Sequence, residues 1–250
     1  VARKQENPAA EALTELESLG DRLAEWVGRN PVLVLGTALG VLILAAGYGF
    51  AANYADSRRD AASTELAAVG AEFRKAMGAS PNDIEIVEPA NPETARTART
   101  EALASYKELA DEYAGTAVGA VAALEAGGLQ EQLGEPAQAL ETWQAAADAL
   151  PSDAVPRALL LNRIGAAHED NRAWAEAAAA YQAAFDVADY PLRYQSLLDA
   201  ARCLAEAGDA AGAVALFERV ETEAEDFRIP DHVKARMLEL RAAASLGSGA

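Results

Sequence analysis

The sequence predicts an all-α protein: a single N-terminal transmembrane helix followed by a helical-repeat solenoid. Three observations predict it. Residues 30–55 carry no charge, alanine dominates a chain that is 51% hydrophobic but only 6% aromatic, and one small–aromatic–small template recurs along the second half. Alanine has the highest helix propensity and lets neighbouring helix backbones approach closely, so this composition favours tightly packed helices.

The formal net charge of −18 over 250 residues argues against nucleic acid, because binding there requires clustered cations that displace counterions. The basic pairs Arg3-Lys4, Arg58-Arg59 and Arg74-Lys75 belong to no longer run. The single cysteine, Cys203, permits no intramolecular disulfide and leaves the compartment open. Its neighbours Leu198, Ala201 and Leu204 lie at helical spacing, so it reads as a small buried hydrophobe.

Residues 1–30 form a leader in which Leu13, Leu16, Leu19, Leu23 and Val27 recur at helical spacing among acidic residues. That acidic face is wrong for anionic lipid and suits a docking helix. Residues 31–55, which include PVLVLGTALGVLILAAGYGF, are long enough to span a membrane, since about 20 helical residues cross the roughly 30 Å hydrocarbon core. Trp26 and Arg29 before the run, and Tyr48, Tyr54, Arg58 and Arg59 after it, are suited to the headgroup layers. A cleaved signal peptide and a buried core helix are the rival readings; the acidic leader opposes the first and the uncharged length the second. Gly36, Gly40 and Gly47 form a strip that would allow a partner helix to approach within lipid. Basic residues are balanced across the span, so charge alone does not orient it.

Residues 56–78 continue as a juxtamembrane helix with Leu66, Val69, Phe73 and Met77 on one side. Residues 79–93 contain Pro81, Pro89 and Pro92 and read as a linker, with Ile84, Ile86 and Val87 available to tack it onto the domain. Residues 94–227 hold a half unit and three repeats. The triplets Ala139/Trp143/Ala146, Ala177/Tyr181/Ala184 and Ala213/Phe217/Val220 follow turns, with aromatics 38 and 36 residues apart (143 to 181, 181 to 217). Upstream helices carry Gly127, Gly165 and Ala201 at the matching close-contact position, and Ala102/Tyr106 repeats the second-helix template once more. Residues 228–250 form a capping helix and tail, with Pro230 in its first turn and Val233, Met237 and Leu240 facing inward.

This pattern resembles the tetratricopeptide repeat, a helix–turn–helix unit with small residues at the helix crossing and an aromatic beside them. Pro151 sits where that family ends its second helix, and Trp174 where an aromatic opens it. The period is longer than the family's, and Ala123 and Ala126 stand where larger residues are usual. The order of parts, and the segment YKELADEYAGTAVGAVAALEAGGLQEQLGEPAQAL in particular, resembles the YfgM-like ancillary translocon family. That resemblance implies a single-pass protein of the bacterial inner membrane. Its repeat domain would be periplasmic, and its partners would include the SecYEG channel, periplasmic chaperones and membrane lipid.

No catalytic site is read from the sequence. His168 and His232 are isolated, no phosphate-binding glycine loop or nucleophile elbow occurs, and the paired carboxylates suit a solvated acidic surface. No cofactor or metal is expected. Binding remains. In such repeats the first helices line a concave face, and carrying the family pattern over by position gives Leu124, Glu131, Asn162, Ala166, Glu169, Gln195, Leu198, Arg202 and Glu206 as groove candidates. A mildly acidic groove with apolar patches suits partners that carry basic residues. The expected function is a membrane-anchored interaction scaffold serving protein translocation or chaperone recruitment. The alternative is a structural accessory subunit of another inner-membrane complex, docked through its transmembrane helix.

Overall fold

The computed structural model describes residues 58–80, 86, 88–224 and 226–247. All of these except Arg58 belong to one compact unit, Arg59–Ala250. The leader at 1–30, the span at 31–55 and its Gly36, Gly40 and Gly47 lie outside the described residues. Among those described, no helix is long and apolar enough to cross a membrane.

The described residues contain helices and no strand. After α1 (58–76) come α2 (Pro92–Glu112), α3 (Ala117–Gln132), α4 (Pro136–Ala149) and α5 (Val155–Asp170). These are followed by α6 (Trp174–Phe185), α7 (Arg193–Glu206), α8 (Ala210–Glu223) and α9 (Asp231–Gly247). Local chemistry starts several of them. Asn91, Thr116 and Asp209 each accept a hydrogen bond from the first turn of the helix that follows, and Pro136 and Pro156 occupy first-turn positions where a missing N–H costs nothing.

From α2 onward each helix packs on the next, and α3 also touches α5, two helices on. This is a tetratricopeptide-like solenoid of helical hairpins. Its joints are the predicted small–aromatic contacts. Trp143 of α4 covers Gly127 of α3, Tyr181 of α6 covers Gly165 of α5, and Phe217 of α8 shares a buried cluster with Ala201 of α7. Ala123 and Ala126 are buried without large side chains because the aromatics of the second helices supply the volume.

Helix α1 supplies the partner for what reads in the sequence as a half unit. Ala62, Leu66, Val69 and Phe73 of α1 join Ala102, Tyr106 and Leu109 of α2 in one core cluster. The end of α1 matches the ends of α3, α5 and α7. In each, a residue with positive φ (Gly78, Gly134, Arg172, Gly208) is followed by an amide that donates five residues back: Ala79 to Arg74, Glu135 to Gln130, Ala173 to His168, Asp209 to Leu204, at 2.8–2.9 Å. Shared closure and packing make α1 the first helix of the opening hairpin.

Two sequence expectations need correction. Ile86 is exposed rather than tacked onto the domain, while Ile84 and Val87 lie outside the described residues. The link to the fold is made instead by Glu88, whose carboxylate pairs with Arg99 of α2 at 2.5 Å. Pro230 precedes α9 rather than lying inside it, and its carbonyl accepts the first helical bonds from Val233 and Lys234. Val233, Met237 and Leu240 do face inward, joining Leu198, Phe217 and Val220.

Candidate functional site: the first-helix face

The first helices α3, α5 and α7 carry all nine groove candidates, and the structure divides them into two groups. One group ties neighbouring first helices together. The Glu131 carboxylate on α3 pairs with Arg163 on α5, and Arg163 also lies over the Trp143 ring, its guanidinium carbon 5.0 Å from the ring centre. Asn162 on α5 accepts a hydrogen bond from Ser196 Oγ on α7 at 3.0 Å while its amide donates to the Ala158 carbonyl at 2.9 Å. Glu169 on α5 receives a two-pronged bond from Arg202 on α7, at 2.6 and 2.7 Å.

The negative charge expected from Glu131 and Glu169 is therefore neutralised by Arg163 and Arg202. Sequence reasoning overlooked Arg163 altogether. The 32- and 33-residue separations of these pairs (131 to 163, 169 to 202) are a signal that could have found them. Leu124 is half-buried beside the α4–α5 core, its carbonyl accepting a 3.4 Å bond from Trp143 Nε1. Ala166 is half-buried on α5.

The Glu169–Arg202 pair lies at the centre of a titrating cluster. Burial pushes the Glu169 carboxyl up, but hydrogen bonds from Arg202, Tyr181 and Cys203, together with the Arg202 charge, hold it below its ordinary value. Burial and the same carboxylate raise the Tyr181 hydroxyl, and burial with Glu169 beside it pushes the Cys203 thiol up to about 12. Cys203 is thus a buried, inert thiol, as its helical neighbours predict. The hydrogen bonds that Arg202 donates to the Glu169 carboxylate raise the guanidinium above its ordinary value. Every member answers another's charge or hydrogen-bonding capacity, so the cluster is a structural joint between repeats.

The second group surrounds an opening. Gln195, Leu198, Arg202 and Glu206 of α7 face α9 across a cleft of about 350 Å³. Its floor is apolar, from Leu198, Val233, Met237 and Leu240, and its rim carries Asp199, His232 and Arg236. Burial holds the Asp199 carboxyl above its ordinary value despite a hydrogen bond from Gln195 and the nearby Arg202. The α9 contribution was missed because the family pattern was carried only as far as the last repeat. The inward spacing of Val233, Met237 and Leu240 was the available clue. Among the described residues no three His, Cys, Asp or Glu side chains are grouped to hold a metal ion.

No protein-family profile matches the chain, and no curated protein matches it. Solved structures similar to it include the nearly identical TPR-like repeats of a Podosopora anserina kinesin light chain candidate. That likeness has 17% identity and a TM-score of 0.47, covering 61% of this chain and 83% of that one; a single-residue variant of the same protein gives the same values. BtubC (BKLC) from P. vanneervenii is similar at 12% identity and a TM-score of 0.41, covering 63% of this chain and 74% of that one.

Proposed function

We propose that this protein is a membrane-anchored interaction scaffold of the bacterial inner membrane. It would hold its repeat domain in the periplasm and serve the SecYEG channel and periplasmic chaperones as an accessory. The fold supports the scaffold part, because stacked helical hairpins present extended surfaces for protein partners. The anchor, its lipid contact and its sidedness rest on the uncharged run at 31–55 and on the sequence resemblance. The observation that carries the reading is the α7–α9 cleft, an apolar opening on a face otherwise tied together by Glu131–Arg163 and Glu169–Arg202. Such a protein acts by tethering rather than by catalysis. Confinement to the membrane raises the effective concentration of its binding face near a partner, reaching the order of millimolar for short linkers.

The test is a gentle-detergent co-purification of the intact chain beside one truncated before Asp56, both tagged at the C-terminus, with a photo-crosslinker placed at Gln195. SecYEG components should be retained by the intact chain and lost by the truncation, and chaperones should crosslink at Gln195. Retention of an unrelated complex at fixed stoichiometry would identify a structural subunit and overturn the translocation reading.

A further inference from the structure

We draw no further inference here: the strongest candidate, the apolar cleft between α7 and α9, sets the carboxylates of Asp199 and Glu206 against the guanidiniums of Arg202 and Arg236, and nothing in the structure shows what covers it.

Discussion

A β-carbon built on Gly127 would lie 2.1 Å from Nε1 of Trp143, closer than any side chain can tolerate. Its sequence neighbour Gly128 faces open space, with nothing within 4 Å of such a carbon. The two adjacent glycines of α3 should therefore respond oppositely to alanine. Gly127→Ala forces the fully buried indole to move and should destabilise the protein by about 2–3 kcal/mol. Gly128→Ala gains helix propensity and should stabilise it by about 0.5–1 kcal/mol. Chemical denaturation of the two variants beside the parent checks both signs.

Arg172 closes α5 with φ of 55°, in the left-handed region where Gly134 and Gly208 close α3 and α7. A side chain there strains the backbone by about 1–2 kcal/mol, partly offset by the extra freedom glycine loses on folding. Arg172→Gly should raise the midpoint of thermal unfolding, by an amount corresponding to about 0.5–1 kcal/mol. Gly134→Ala should lower it by a similar amount. Equal midpoints for parent and Arg172→Gly would show that the turn bears no strain.

Glu169 and Asp199 should leave opposite marks on the acid side of the stability profile. Glu169 is held below its ordinary pKa of 4.5, so its ionised form stabilises the fold. That contribution is complete above the ordinary value and disappears as pH falls through the lowered one. Glu169→Gln should therefore be less stable than the parent at pH 7, by about 1 kcal/mol given the half-exposed arginine, and the gap should close below pH 4.5. Asp199 is held above its ordinary 3.8, so ionisation there costs stability, and protonation recovers it as pH falls through the raised value. Any advantage of Asp199→Asn at neutral pH should shrink along that descent. Urea unfolding across the carboxylate range separates the two.

The Cys203 thiol is fully buried and pushed up to about 12, which leaves little thiolate at neutral pH and no access for a reagent. Labelling by a disulfide reagent should be slow in the native protein and rapid in denaturant. If Arg202→Ala loosens the junction around Glu169, the native labelling rate should rise several-fold without loss of helix content by circular dichroism.

The hairpin joints were legible because their code is local. Gly127 and Trp143, Gly165 and Tyr181, and Ala201 and Phe217 are each 16 residues apart, and a glycine facing a large ring reports a close crossing before any fold is known. The same logic identified Cys203 as buried and α9 as inward-facing through Val233, Met237 and Leu240. The electrostatic character of the binding face was not legible. Counting Glu131, Glu169 and Glu206 gave an acidic groove, whereas two of the three are answered by arginines one first helix further on.

By itself, then, the sequence determined the helical class, the repeat, the identity of the plugs and the turns that separate them, since composition and short-range spacing are sufficient for these. Tertiary structure alone decided that α1 completes the opening hairpin, that Arg163 and Arg202 neutralise most of the expected charge, and that a cleft remains at Glu206. Those outcomes depend on the register between helices distant in the chain. That register is set by how the buried aromatics seat against their small partners, and it determines which surface charges come within bonding distance.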